Sequence, residues 1–223
     1  MHKKPGPVKG KNMEGGIARW YAKNTATNLD GFRQEAATLA ATLPEGATVL
    51  EIAPGPGYLA VELAKRGTFQ ITAVDYSHTF IDIGRANAKA AGVQIDFRQG
   101  DAAQLPCDSN QYDFIFCRAA FKNFGDPVGS LNEMHRVLKP GGVAVIQDMR
   151  KNTTNHEIAR EVAGMKMGRL MAMTTRWILR DLRNRAYSRE AFEQMIAQTP
   201  FRTAVIKSEG IAFEVTVTKA AAM

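Results

Sequence analysis

The chain has 223 residues, 45% of them hydrophobic and 23% charged, the proportions of an ordinary globular protein rather than a disordered or fibrous one. That length accommodates one domain with a substantial core and leans against a nucleotide-binding domain joined to a full second substrate domain. The net charge of +7 is unevenly placed, with +4 in residues 1–11, +6 in residues 150–190 and −3 elsewhere, so no nucleic-acid footprint spreads over the whole surface.

Residues 1–11, rich in Lys, Gly and Pro, are expected to form a flexible basic tail. No apolar segment follows them and no run is long enough to span a bilayer, so a cytoplasmic location is expected. Cys107 and Cys117 have neither metal-ligand nor secreted-scaffold spacing and read as reduced thiols, and no metal site is expected.

The predicted elements start with a short helix in "EGGIARWYAKNT" and a longer one in "LDGFRQEAATLAATL". An alternation of strands and helices follows. "ATVLEIA" (47–53) reads as a buried strand, "YLAVELAKRG" as a helix stopped by Gly67, and "FQITAVD" (69–75) as the second strand. "SHTFIDIGRANAKAAG" is a helix capped by Ser77, and "VQIDFRQGD" the third strand. "YDFIFCR" (112–118) is the fourth. "DPVGSLNEMHRVLKPGG" is a helix capped by Asp126 with Pro127 at its first position; its "LKPGG" reads as a tight turn into the fifth strand, "VAVIQDM". Such alternation predicts a doubly wound, mostly parallel α/β sheet. "FRTAVIKSEG" and "AFEVTVTK" predict a closing antiparallel pair. Residues 150–188 read as an inserted helical cap, with Met171, Met173 and Trp177 supplying adaptable apolar surface and Arg176, Arg180 and Arg183 recurring at helical spacing.

The glycine turn "EIAPGPGYLA" (51–60) fits the loose dinucleotide fingerprint, and Asp75 ends the second strand where a carboxylate accepts ribose hydroxyls. To this point a nicotinamide dinucleotide fits equally well. Glu51, however, offers an anion that would repel a pyrophosphate and attract an ammonium. Asp101, in "GDAAQLP", is placed to accept from an adenine amino group.

Taken together, "VLEIAPGPG", "AVDYS", "GDAAQLP", "YDFIFCRAAFKNF" and "EMHRVLKPGGVAVIQD" resemble the class I S-adenosylmethionine-dependent methyltransferases of the type 11 group, over roughly residues 45–150. The resemblance implies a Rossmann-like, seven-stranded sheet with a reversed last hairpin, making residues 12–223 one methyltransferase domain. It implies S-adenosyl-L-methionine as cofactor, with S-adenosyl-L-homocysteine as product. Glu51 and the backbone of Ala53, Pro54, Gly55 and Gly57 would hold the methionine part, Asp75 the ribose, Tyr76 the adenine border, and Asp101 with Ala102 the adenine ring. Arg118 would face the cofactor too, and Tyr21, with Trp20, would fold over it. Ala53 departs from the family, which usually has Gly there.

"AFKNFGDPVGSLNEMHRVLKPGG" is similar to the ubiquinone/menaquinone-biosynthesis C-methyltransferases, with Lys122-Asn123 where those have Arg-Asn. On that likeness Lys122 would stabilise an acceptor oxyanion, Asn123 would orient it, and Asp148 would accept a proton or position Arg150. The expected partner is a small aromatic or hydrophobic acceptor, with a homodimer compatible and no obligatory nucleic acid or transmembrane segment. Two other readings stay open at this point: an RNA or protein methyltransferase recruited by the basic cap, and a non-catalytic cofactor-binding protein.

Overall fold

The computed structural model describes residues 8–9, 13–165 and 168–221. Helices α1 (Gly15–Thr25) and α2 (Leu29–Thr42) precede the alternation β1 (Thr48–Ile52), α3 (Tyr58–Ala64), β2 (Gln70–Asp75), α4 (His78–Ala91), β3 (Asp96–Gln99), β4 (Tyr112–Arg118), α5 (Pro127–Val137) and β5 (Leu138–Met149). Helices α6 (Asn155–Gly164), α7 (Arg169–Arg185) and α8 (Arg189–Ala197) lead to β6 (Val205–Glu209) and β7 (Ala212–Thr218). Among the described residues no helix is long and apolar enough to cross a membrane.

Local chemistry sets several of these boundaries. Ser77 Oγ accepts from Phe80 N at 3.1 Å to start α4, satisfying an amide with no intrahelical partner. Asp126 does the same for α5, taking Gly129 N at 2.8 Å, with Pro127 in the first turn.

The sheet has seven strands in the order β3-β2-β1-β4-β5-β7-β6. The first five are parallel, while β7 is antiparallel to both β5 and β6, as the expected reversed ending requires. Alternate residues of each strand feed opposite faces. Leu50, Ile52, Ile115 and Cys117 pack with Leu131, Met134 and Phe192 on one side. Val49, Phe114 and Phe116 pack with Phe32, Ala36, Leu59 and Leu63 of α2 and α3 on the other.

One expectation changes. "LKPGG" is not a turn between helix and strand: β5 already begins at Leu138, which pairs with Tyr112 ahead of an irregularity in the β4–β5 register. Gly141 donates to Lys219 O and Lys219 donates to Gly142 O, both at 2.9 Å, so a long-range backbone pairing overrides the local turn signal of Pro-Gly-Gly.

The stretch read as a cap holds helices α6 and α7. Ile158 and Val162 are buried, and α7 packs inward through Ala172, Leu179 and Leu182. Met171, Met173 and Trp177 lie on the outside, Trp177 being 74% exposed. Arg183 turns in to Thr153 O at 2.9 Å and Asn155 Oδ1 at 3.1 Å.

The expected basic tail lies outside the described residues except for Val8 and Lys9. Val8 forms an isolated antiparallel bridge with Phe124, and Lys9 N donates to Asn123 O at 2.7 Å.

Candidate active site

Where the strand order reverses, between β1 and β4, the connections leave the sheet in opposite directions and open a crevice at the carboxyl ends of the strands. A cavity of about 330 Å³ lies there. Of the residues expected to bind or react, Tyr21, Ala53, Gly55, Asp75, Tyr76, Asp101, Ala102, Arg118, Lys122 and Asn123 all line it. Glu51, Pro54, Gly57 and Asp148 do not.

Two alanines shape the floor. Ala53, just past β1, has φ +57°, and Ala119, just past β4, has φ +56°. This is the left-handed region, which costs a residue with a Cβ roughly 1–2 kcal/mol. Both strained positions fall at the reversal itself, as strain at functional sites tends to. The missing glycine at 53 therefore leaves the turn shape intact at an energetic cost. Gly57 serves the helix that follows instead. At φ +74° it starts α3, and a Cβ there would stand 2.9 Å from Phe97 Cζ.

Asp75 is the most constrained acid of the cavity. Its Oδ2 accepts from Gly55 N at 3.0 Å and its Oδ1 from Ser77 N at 2.8 Å. Burial pushes its carboxyl up to about 6, against those backbone hydrogen bonds. Asp101 Oδ1 accepts from Ala103 N at 2.9 Å. One wall is α1, latched to the start of α4 by Glu14, whose carboxylate takes His78 N at 2.9 Å, Thr79 N at 3.2 Å and Thr79 Oγ1 at 2.6 Å. That latch brings Tyr21 against Phe80 with ring centroids 5.8 Å apart; Trp20 points away and is exposed.

Glu51 stands apart from the expectation. In β1 it shares a face with Val49, so it lies beneath the turn among Leu59, Leu63 and Phe116. Burial, with Glu35 beside it, raises its carboxyl to about 8. A group with that pKa is mostly neutral at pH 7 and offers no fixed anion to an ammonium. The period-2 alternation of a strand would have placed it there.

Lys122 and Asp148 form a pair with side chains 3% and 2% exposed, Nζ to Oδ1 at 2.7 Å. Asp148 also accepts from Lys122 N at 2.8 Å and Met149 N at 2.7 Å. It is thus the counterion of Lys122 and does not reach Arg150, which instead binds Glu157 and Gly210 O, each at 2.7 Å. The Lys122 ammonium has a second acceptor in Ala119 O, which leaves one of its three protons.

The far end of the cavity holds residues that sequence reasoning passed over: Val8, Lys9, Phe124, Leu182 and Arg185. Arg185 Nη1 donates to Asn123 Oδ1 at 2.9 Å, and Lys9 Nζ donates to the Tyr187 hydroxyl. No local motif marks them; a cationic end to the cap helix was the one available signal.

Comparison with known proteins places this geometry. Residues 50–146 match the methyltransferase domain family Methyltransf_11. A demethylmenaquinone methyltransferase of Deinococcus radiodurans is 38% identical over 99 residues, 44% of this chain and 41% of that protein. A ubiquinone/menaquinone biosynthesis C-methyltransferase of Bdellovibrio bacteriovorus is 37% identical over 102 residues, 45% and 43% of the two chains. The matched stretch thus spans less than half the length of either relative. A solved structure from Methanococcus maripaludis, of the S-adenosylmethionine-dependent methyltransferase fold, superposes with a TM-score of 0.71 at 21% identity, covering 96% of this chain and 97% of that one. Residues 50–146 are therefore similar to the methyltransferase domain family, and the chain as a whole has the fold of the solved S-adenosylmethionine-dependent methyltransferase.

Proposed function

We propose that the chain transfers a methyl group from S-adenosylmethionine to a small aromatic or hydrophobic acceptor. The observation that carries this is one cavity at the sheet reversal whose two ends differ chemically: acids and glycine backbone at the β1–β3 side, and Lys122, Asn123 and apolar side chains beyond β4.

The residues present fit the cofactor. Each oxygen of Asp75 holds one backbone N–H and keeps a lone pair for a ribose hydroxyl. The orientation is set before the ligand arrives. Gly55 leaves room, since a Cβ there would meet only Tyr21, at 3.9 Å. Asp101 and Ala102 serve the adenine, Tyr76 and Tyr21 border it, and Arg118 takes the methionine carboxylate.

When bound, S-adenosylmethionine supplies an electrophilic methyl group on a sulfonium. What remains for the protein is alignment and exclusion of water. Tyr21 and Leu182 close over the cavity, and Lys122, held by Asp148 and Ala119 O, gives its third proton to an acceptor oxygen. Asn123, fixed by Arg185, orients the ring. The relatives named above as quinone-pathway methyltransferases make phenols and quinols the first acceptors to try.

Calorimetric titration with S-adenosylmethionine, S-adenosylhomocysteine and NAD tests the reading. Binding of the first two and not NAD, lost in Asp75→Ala, is expected; binding of NAD alone would overturn it.

A further inference from the structure

The cavity does not balance its charges at the acceptor end. Four cations line it: Lys9, Arg118, Lys122 and Arg185. Two have a carboxylate of the protein beside them and a role already proposed, Arg118 with Glu35 at 3.1 Å on the cofactor side and Lys122 with Asp148 at 2.7 Å. Lys9 has no carboxylate within ion-pair distance among the described residues, and its ammonium donates to a neutral hydroxyl on Tyr187. Arg185 reaches Asp181 only at 3.4 Å, and that carboxylate is 66% exposed, so water screens the pair.

Both residues are tied to Asn123, Lys9 through its backbone N–H and Arg185 through its guanidinium, while the Lys9 ammonium stands 4.5 Å from the centroid of the Tyr187 ring. Lys9 N donates to Asn123 O at 2.7 Å while Arg185 Nη1 donates to Asn123 Oδ1 at 2.9 Å. The cavity's own acids, Asp75 and Asp101, lie past β2 and β3, on the other side of the reversal, and already accept from Gly55, Ser77 and Ala103. Phe124 and Leu182 supply apolar wall beside the cations.

We propose that Lys9 and Arg185 form an anion subsite and that the acceptor is an aromatic carrying a carboxylate. A guanidinium fork matches a planar carboxylate, and an ammonium lining the same cavity adds attraction without demanding geometry. The ring lies against Phe124 and Leu182, and the carboxylate faces away from the acidic, cofactor-binding end. The inference rests on the methyltransferase reading for what happens to the acceptor, but the anion subsite stands on its own charges.

The test titrates salicylate and benzoate, with salicylamide and benzamide as neutral twins, into the full chain with and without saturating S-adenosylhomocysteine. The carboxylates are expected to bind roughly tenfold or more tighter than the amides, the worth of one charge-assisted hydrogen bond. That preference should fall to parity in Lys9→Gln combined with Arg185→Gln, survive in part in Arg185→Lys, and leave S-adenosylhomocysteine affinity essentially unchanged. Equal binding of acid and amide, or a preference that persists in the double variant, overturns the subsite. Loss of S-adenosylhomocysteine affinity in step with it also overturns it, because the cations would then hold the cofactor's own carboxylate. A chain that prefers the carboxylates yet never binds S-adenosylhomocysteine keeps the subsite and refutes the methyltransferase reading instead.

Discussion

Lys122 and Asp148 form a buried ion pair whose structural share can be separated from the role proposed for Lys122 on the acceptor. Removing one partner strands a buried charge, so Lys122→Met is expected to destabilise the fold by about 3–5 kcal/mol. Adding Asp148→Asn should return most of that loss in urea unfolding. If Lys122 also acts on the acceptor, turnover stays low in the stable double variant; recovery of turnover along with stability would reduce Lys122 to a support. Glu51 makes a second prediction. Its folded pKa, about 8, lies above the ordinary 4.5, so folding takes up a proton between those values. Its contribution to stability is therefore full below pH 4.5 and drains away as pH rises towards 8. Glu51→Gln should flatten that slope and be the more stable protein at pH 9 by a few kcal/mol, read from denaturant midpoints.

Elements whose limits depend on neighbours in sequence were legible. Ser77 and Asp126-Pro127 announce α4 and α5 because a cap is made within three residues of itself. Helix α7 was legible as a helix but not in its orientation. Met171, Met173 and Trp177 carry most of its apolar bulk, yet the cap is joined to the core by Ala172, Leu179 and Leu182, and only the tertiary partner decides which stripe turns inward. The start of β5 failed for the same reason, since its partner at Lys219 lies far along the chain. The site divides likewise. Asp75, Asp101 and Gly55 sit at strand ends, where the pattern of alternation locates them, whereas Lys9 and Arg185 come together only through folding. At this scale the Glu14 latch is testable: Glu14→Ala leaves the Ser77 cap in place but takes the acceptor from His78 N and Thr79 N and frees α1, a loss of about 1 kcal/mol. S-adenosylhomocysteine should then bind several-fold more weakly, with the fold otherwise intact by circular dichroism; unchanged affinity would separate α1 from the cavity.

Across the whole molecule the sheet forms the floor of the cavity, at the reversal between β1 and β4. Five parallel strands fix the positions of Ala53, Asp75 and Ala119 relative to one another, so catalysis by alignment asks little of the floor itself. Above it the lining is drawn from α1, α7 and the Val8–Lys9 segment. That segment joins residues near the beginning of the chain to a loop more than a hundred positions later, through a single bridge at Phe124 and the polar contacts of Lys9. Ligand entry and exit beneath it are expected to require those few bonds to open. Timing and tightness of binding are then set by different parts of the protein. Removal of residues 1–11 should hasten both arrival and departure of S-adenosylhomocysteine in stopped-flow fluorescence while moving Kd far less than either rate. In an enzyme whose product is a tight-binding remnant of its cofactor, such a clasp would make the opening of the Val8–Lys9 contacts, rather than the transfer itself, the clock of the cycle.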